Sequence, residues 1–288
     1  MEYRFFGSTG MSFSVIGLGG LLAHYEGVCG HPSSGQKQSI YRRADELGIN
    51  LFDMGYGDEV YIPDEFRNSN SNRFFALKTG VPKAIELEDT INHHLKQLRR
   101  ESIDVLRIQY NAFIKDNALR EVVSDLKQNG KVRSLCLIRH YPEDQKSYVA
   151  HGPYDDADAD LVMYNYVYRW QEDGIKQSEE AGKGVLIMKA LGGQWISWQD
   201  KVNTDWSQAT RESLIDLMPN KKKNQTHADM IFPINAGPWQ ELKKNGDKTI
   251  RTASAIQWVL ENPGVSSVLV AVAGVEELEE AVRLKSIL

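Results

Sequence analysis

Short apolar segments alternate with amphipathic helical segments along almost the whole chain, and this alternation constrains the fold more than any other feature. The apolar segments are continuous in character, as is typical of strands buried on both faces of a parallel sheet. They span residues 15–19, 50–54, 74–79, 104–109, 132–139, 161–165, 185–189 and 267–272. Eight strand and helix alternations within 288 residues predict a (β/α)8 TIM barrel of the α/β class.

The segments between the strands have the period of helices. Leu87, Ile91, Leu95 and Leu98 form one apolar stripe, and a second stripe runs through 119, 122, 123 and 126. A helix over 36–47 is predicted to end at Gly48, a typical C-terminal cap. Before the first barrel strand, residues 2–14 predict a β-hairpin that turns at 8–10. No composition shift marks a boundary, so we expect one domain over 1–288.

One region interrupts the alternation. Residues 197–248 carry no strand signal and follow the seventh predicted strand, which places them over the face where barrel enzymes do their chemistry. A connection of this length in a compact domain is usually functional or contains helices of its own. We interpret it as a lid-like insertion in which Trp206 and Trp239 line a substrate pocket together with His24 from the first loop. The alternative is a set of helices packed on the outside of the barrel.

Composition excludes several classes of protein. The net charge of −5 and the pI near 5.9 argue against a nucleic-acid partner, which usually meets a basic face. Two cysteines, Cys29 and Cys136, cannot build a disulfide framework. No apolar run is long enough to span a membrane, so we expect a cytoplasmic protein without a membrane partner. His24, Cys29 and His31 share a loop, but their spacing fits no standard metal site, so no metal is expected.

Three polar residues follow predicted strands and suggest chemistry. Asp53 ends the second strand, Tyr56 stands three residues later, and Lys78 lies near the end of the third strand. In a parallel barrel these ends meet at one face. A lysine ammonium beside a tyrosine favours the phenolate and lowers the tyrosine pKa from about 10. Such a phenol is suited to protonating a carbonyl oxygen at neutral pH.

The ordered set of sequence segments resembles the aldo-keto reductase superfamily over nearly the whole chain. The segments are the hairpin and first strand at 2–20; Leu-Gly-Ile-Asn-Leu-Phe-Asp at 47–53 with Gly-Tyr-Gly-Asp at 55–58; Ala-Leu-Lys-Thr at 76–79; Ser-Ile-Asp-Val at 102–105; Gly-Lys-Val-Arg at 130–133; His-Tyr-Pro-Glu at 140–143; Ile-Met-Lys-Ala-Leu-Gly-Gly at 187–193; and the final strand and helix from 258 to 280. The resemblance implies reduction of a carbonyl or imine of a small molecule by direct hydride transfer from NADPH or NADH.

The resemblance also implies roles for individual residues. Asp53 would pair with Lys78, Lys78 would tune Tyr56, and Tyr56 would be the general acid, with Tyr61 as the alternative. Gln109 stands where the family has a histidine; an amide can orient a carbonyl oxygen but cannot supply a proton. The predicted cofactor-binding residues are Arg139, His140, Asn165, Lys189, Leu191 and Gly274.

The same comparison shows departures at the expected cofactor contacts. Ile138 replaces a serine that meets the nicotinamide, Leu161 replaces a glutamine, and Met188 replaces an aromatic residue. The segment 271–274 has no hydroxyl for the phosphates. Arg139 and His140 are expected to restore positive charge at the face of the barrel where the strands end, which we call the mouth.

Two alternatives to a reductase therefore stay open. One is a non-redox acid/base barrel enzyme, such as a dehydratase, lyase, isomerase or cyclase, that has lost nicotinamide binding. The other is a non-catalytic binding or regulatory subunit. The sequence indicates a small-molecule substrate in the enzymatic cases and does not reveal the oligomeric state.

Overall fold

Eight parallel strands of this protein close into a barrel in the computed structural model, which describes residues 1–20, 34–57, 59–67, 72–192, 210, 237–243 and 251–284. The chain begins with an antiparallel pair, β1 (Tyr3–Phe5) and β2 (Ser12–Ser14). The barrel strands are β3 (Ile16–Leu18), β4 (Leu51–Asp53), β5 (Phe74–Gly80), β6 (Val105–Gln109), β7 (Leu135–Ile138), β8 (Ala159–Met163), β9 (Gly184–Met188) and β10 (Ser267–Val270). They are ordered as in the chain, and β10 pairs with both β9 and β3. The predicted TIM barrel and its hairpin are confirmed.

The helices pack around the barrel in the described residues. They are α1 (Ser34–Glu46), α2 (Ala84–Leu98), α3 (Tyr110–Lys115), α4 (Asn117–Gln128), α5 (Pro142–His151), α6 (Glu172–Glu180), α7 (Thr252–Leu260) and α8 (Val275–Ala281). Short 3-10 helices cover Glu59–Tyr61, Asp64–Phe66 and Gly237–Leu242. The predicted stripe at Leu87, Ile91, Leu95 and Leu98 is fully buried on α2. Gly48 takes the positive φ (84°) of a helix-ending residue after α1.

Successive strand residues face two different cores, because side chains alternate across a strand. Leu51, Ala76, Val105 and Cys136 lie in the cluster enclosed by the barrel, whereas their chain neighbours pack against the helices. Phe6, Met11 and Phe13 of the hairpin join the enclosed cluster. Phe13 meets Phe74 at the start of β5, with the ring centroids 5.0 Å apart, so the hairpin closes the end of the barrel where the strands begin.

The predicted lid lies mostly outside the described residues. Of 197–248, the structure describes Thr210 and residues 237–243. His24, Trp206 and the first-loop residues Cys29 and His31 also fall outside the described ranges. None of the described helices combines the length and the apolar character that a membrane span requires.

Candidate active site

Side chains from β4, β5 and β6 converge inside the barrel where these strands end. Asp53 is the last residue of β4, and Gln109 is the last residue of β6. Lys78 on β5 lies directly beside Arg107 on β6 in the parallel register. All four residues share the strand face that, in the preceding residues of each strand, contributes to the enclosed core. The structure therefore brings Asp53, Lys78 and Gln109 to one mouth, together with Arg107.

The turn after β4 sets the position of Tyr56. The backbone N–H of Gly55 donates to Asp53 Oδ1 over 2.8 Å, and the N–H of Lys78 donates to the carbonyl of Gly55 over 2.7 Å. Gly55 and Gly57 have φ values of 56° and 125°, which glycine adopts without the steric cost of a side chain. The turn therefore holds Tyr56 next to the end of β5.

Asp53 is paired with Arg107 rather than with Lys78. Arg107 Nη2 donates a hydrogen bond to Asp53 Oδ1, and both side chains are nearly fully buried. Among the described residues, Lys78 has no carboxylate within ion-pair distance. The predicted Asp53–Lys78 pair is thus replaced by an Asp53–Arg107 pair, in which the guanidinium of β6 reaches across β5 to the carboxylate at the end of β4. The sequence interpretation missed Arg107.

Lys78 contacts the face of the Tyr56 ring. Its Nζ lies 4.8 Å from the ring centroid, within the range of a cation–π interaction. Burial lowers the pKa of Lys78 to about 8, and the nearby charge of Arg107 adds to this effect while Asp53 opposes it. The ammonium is therefore in balance with the neutral amine slightly above neutral pH.

Tyr56 is the more accessible of the two candidate acids. Its side chain is 55% exposed, and a Cβ added at Gly80 would lie 3.1 Å from its hydroxyl oxygen, so the phenol rests over the end of β5. Tyr61 instead packs beneath the helix layer, where Lys37 Nζ lies 3.7 Å from its ring centroid. This geometry favours Tyr56 as the acid.

Gln109 presents an unpartnered polar atom. The side chain is 4% exposed, and its Oε1 has no hydrogen-bond partner within the described part of the chain. A buried amide oxygen in this state indicates a partner that binds at the mouth, because leaving it unpaired costs about 1–3 kcal/mol.

A shallow pocket opens beside Tyr56 and Lys78 toward α2. Its lining is formed by Tyr56, Lys78, Thr79, Pro82, Lys83, Glu86, Thr90 and His94. His94 Nδ1 is hydrogen-bonded to Glu59 Oε1 below this pocket, and both side chains are largely buried. Lys83 Nζ pairs with Glu86 Oε1 at 2.8 Å. The His94 ring packs against Gly57, whose missing side chain makes room for it.

Three of the predicted cofactor-binding residues follow the ends of β8 and β9. Asn165 Nδ2 donates to the carbonyl of Lys189 over 3.0 Å, and its Oδ1 accepts from the N–H groups of Val167 and Tyr168. Lys189 is held with φ at 58°, an unusual conformation for a residue with a side chain and one that occurs often at functional sites. Leu191 follows and packs against both cores.

The segment after β10 presents backbone groups together with carboxylates. Gly274 precedes α8, and among the described residues a Cβ added there would meet only Glu276 Oε2, at 3.5 Å. The N–H of Ala273 donates to Glu277 Oε2 over 2.7 Å. Residues 271–280 contain no lysine or arginine. An anion binding here would meet backbone N–H groups and would displace the Glu277 carboxylate.

Arg139 does not reach the mouth, which corrects the sequence expectation. It is fully buried, its Nε donates to Asp160 Oδ1 over 2.6 Å, and its guanidinium carbon lies 3.6 Å from the Tyr110 ring centroid. Arg139 follows Ile138, which faces the enclosed core, so alternation turns the arginine toward the helices. His140 is half-buried at the start of the connection to α5, and its carbonyl accepts from Gln145 Nε2.

Trp239 is also buried, and it exposes no surface as a pocket wall. It packs against Tyr166, with the ring centroids 6.2 Å apart, and anchors the short helix Gly237–Leu242. Within the described residues no three His, Cys, Asp or Glu side chains are grouped as metal ligands.

The mouth can be tested against the nicotinamide cofactor that the sequence resemblance implies. The unpartnered Gln109 Oε1, which lies at the end of β6 beside Ile138 of β7 in the parallel register, fits the carboxamide of a nicotinamide ring. In the described part of the chain, the space around Gly274 fits the approach of a phosphate to the backbone. The residues present thus fit the cofactor, on the condition that Glu277 releases the N–H of Ala273.

Comparison with known proteins gives a consistent result. A model of the Aldo/keto reductase family matches residues 15–287. The chain is 20% identical to an uncharacterised oxidoreductase, YqkF, of Bacillus subtilis, over 98% of this chain and 90% of that protein. It is 26% identical to L-galactose dehydrogenase of Arabidopsis thaliana, over 98% of this chain and 87% of the enzyme. The holo form of an aldo-keto reductase from Bacillus halodurans shares the fold, with a TM-score of 0.67 at 16% identity, covering 100% of this chain and 93% of that one.

Proposed function

The chain belongs to the Aldo/keto reductase family, and we propose that it is an oxidoreductase that reduces a carbonyl or imine group of a small molecule with NADPH or NADH, with Tyr56 as the general acid. The observation that carries this proposal is the stacking of Lys78 Nζ against the exposed Tyr56 ring, where β4 and β5 end.

Tyr56 supplies the proton in this scheme. Its hydroxyl lies at the rim, more than half of the side chain is exposed, and its backbone is fixed by the turn after Asp53. When a substrate oxygen gains negative charge, the phenol donates its proton to that oxygen. A positioned acid of this kind contributes roughly 10²–10⁴-fold to rate.

Lys78 and Arg107 provide positive charge next to the acid. Protonated Lys78 stabilises the negative charge that remains on Tyr56 after the proton has moved. Arg107 lies beside Lys78 in the register and holds Asp53 in a fixed position. Asp53 in turn accepts from the N–H of Gly55 and keeps the turn that carries Tyr56.

Gln109 orients the reacting groups. It stands at the end of β6 with its amide oxygen unpartnered, and its NH2 group is a hydrogen-bond donor. In this position it directs an oxygen or a carboxamide toward Tyr56 without transferring a proton.

The cofactor supplies the hydride when it is bound. In this proposal Gln109, Asn165 and Lys189 hold its nicotinamide end, and Leu191 and the backbone at Gly274 hold the remainder. Asn165 also keeps Lys189 in its unusual backbone conformation. Either NADPH or NADH is compatible with this set, because no cationic side chain in 271–280 selects a 2′-phosphate.

A titration tests the proposal. Purified protein is titrated separately with NADPH and NADH while the fluorescence of the cofactor is followed. We expect saturable binding of at least one of them, followed by oxidation of the cofactor when a panel of small aldehydes, ketones and imines is added. An absence of binding at high micromolar concentrations of both cofactors would contradict it.

A second candidate is an acid/base reaction without hydride transfer, such as a dehydration, elimination, isomerisation or cyclisation. The Glu277 carboxylate on the N–H of Ala273 favours it, because this group opposes an incoming phosphate. The same titration separates the two functions, since this candidate needs no nicotinamide.

A further inference from the structure

The carboxylates around Lys78 are already paired with other bases. Asp53 pairs with Arg107, Glu86 pairs with Lys83, and Glu59 is hydrogen-bonded to His94. These are the acidic side chains that face Lys78 or its pocket from β4, from α2 and from the 3-10 helix after β4, within the described residues. Lys78 is therefore surrounded by engaged carboxylates and has no ion-pair partner among them.

Arg107 adds a second cation at close range. Lys78 and Arg107 are direct neighbours in the parallel register of β5 and β6, on the face that points into the barrel. Both burial and an adjacent cation disfavour the ammonium form of a lysine. Consistent with this arrangement, the pKa of Lys78 is lowered to about 8. A neutral amine that lines a pocket beside a phenol able to donate a proton has the properties of a nucleophile.

We propose that Lys78 is also a nucleophile, which condenses reversibly with small aldehydes and ketones to form an imine in the pocket beside Tyr56. The inference uses the same site as the proposed function but does not depend on a nicotinamide cofactor. It predicts a covalent binding mode for the carbonyl group that would otherwise be held by hydrogen bonds alone.

The step is balanced without another reactant. The lone pair of the Lys78 nitrogen attacks the carbonyl carbon, and the carbonyl oxygen takes a proton from the Tyr56 hydroxyl. The resulting carbinolamine then loses its hydroxyl as water. The nitrogen gives up its two hydrogens as the carbon–nitrogen double bond forms: one returns to Tyr56, and the other leaves with the hydroxyl as water. No electron donor or acceptor is needed, and hydrolysis reverses the reaction.

Borohydride trapping tests this directly. The intact protein, without added cofactor, is incubated with propanal or cyclohexanone and sodium cyanoborohydride, and the alkylated lysines are identified by peptide mass spectrometry. Lys83 is the matched control, because it lines the same pocket and its ion pair with Glu86 raises its pKa. We expect Lys78 to be modified at least about tenfold faster than Lys83 at pH 7.5, since each unit of pKa changes the neutral fraction about tenfold. The rate should rise with a midpoint at pH about 8.

Substitutions at Arg107 supply a second test. In Arg107→Met the freed Asp53 carboxylate becomes available to Lys78, so modification at pH 7.5 should fall about tenfold or more. Arg107→Met combined with Asp53→Asn removes both charges, so Lys78 should be modified faster than in Arg107→Met; a rate as low as in the single variant would overturn the inference. Equal modification of Lys78 and Lys83 in the unaltered protein would overturn the inference.

The outcome is independent of the reductase proposal. Trapping at Lys78 without cofactor oxidation would contradict the proposed reduction and leave the nucleophile in place. Cofactor-dependent reduction without selective trapping at Lys78 would contradict only the nucleophile.

Discussion

Arg107 on β6 donates a hydrogen bond from Nη2 to Oδ1 of Asp53 on β4, so the carboxylate at the mouth is paired with an arginine from two strands away. Lys78 lies on the intervening strand and is left without this carboxylate. One buried pair thereby fixes the turn that carries Tyr56 and places a cation beside Lys78, whose pKa is lowered first by burial and then by that cation.

The Asp53–Arg107 pair should be essential for stability. Arg107→Met leaves a buried carboxylate without its cation, and we expect the free energy of unfolding to fall by about 3–5 kcal/mol. Urea unfolding followed by circular dichroism measures this loss. The double variant Arg107→Met with Asp53→Asn should recover most of it. A loss of under about 1 kcal/mol in the single variant, as at an exposed pair, would show that the pair does not form.

Tyr56 should be required for turnover but not for folding. Tyr56→Phe keeps the ring over Lys78 and removes the proton donor, so kcat should fall roughly 10²–10⁴-fold while the unfolding midpoint is unchanged. Tyr61→Phe is the matched control and should retain activity, because Tyr61 packs against Lys37 of α1 and does not line the pocket beside Lys78. If Tyr61→Phe is inactive and Tyr56→Phe is active, the acid has been assigned to the wrong tyrosine.

Arg139 should influence stability without contacting the cofactor. Arg139→Met should destabilise the fold by about 3–5 kcal/mol, because it leaves Asp160 charged and buried. The pair of changes Arg139→Met and Asp160→Asn should restore a folded protein whose affinity for its nicotinamide cofactor is within about twofold of the original. Cofactor titration of the double variant measures this. A tenfold loss of affinity, about 1.4 kcal/mol, would contradict this prediction and show that Arg139 takes part in cofactor binding.

Asp144 should make stability depend on pH. It is buried near the start of α5, and burial raises its pKa from 3.8 to about 6 although the Arg139 cation opposes the shift. The folded state therefore binds more protons than the unfolded state between these values. Its contribution is present below pH 3.8 and is lost as pH rises through about 6, by up to roughly 3 kcal/mol.

Comparison with Asp144→Asn tests that dependence. The amide cannot ionise, so the variant should gain stability relative to the original protein between pH 4 and pH 7. Chemical unfolding at several pH values in this range gives the difference. A constant difference across the range would mean that Asp144 titrates normally in the fold.

The barrel itself could be predicted because its signals are local. Each of the eight strands is an apolar run bounded by turns, and the buried stripe from Leu87 to Leu98 follows the helical period. The positions of Asp53, Lys78 and Gln109 at one mouth follow from the rule that parallel strands end at the same face. These inferences need no knowledge of how side chains meet across the barrel.

The pairings at the site could not be predicted in the same way, because they join residues far apart in the sequence. Asp53 and Arg107 are 54 positions apart, and nothing local indicates that the arginine displaces the lysine. Two signals were nevertheless present. Arg107 shares its strand face with Gln109 and therefore points toward the mouth. A buried cation there needs an anionic partner, and Asp53 is such an anion. Arg139 directly follows Ile138, and consecutive side chains point to opposite faces of a strand, so an inward Ile138 already indicated that Arg139 faces the helices.

Hydride transfer measured with a labelled cofactor tests the central claim most directly. The protein is incubated with a carbonyl substrate from the panel and with NADPH or NADH carrying deuterium at the reactive carbon of the nicotinamide, and the product is analysed by mass spectrometry. We expect one deuterium on the former carbonyl carbon, with formation abolished in Tyr56→Phe and retained in Tyr61→Phe. Product without deuterium, or conversion that proceeds without the cofactor, would contradict the assignment of this site to carbonyl reduction.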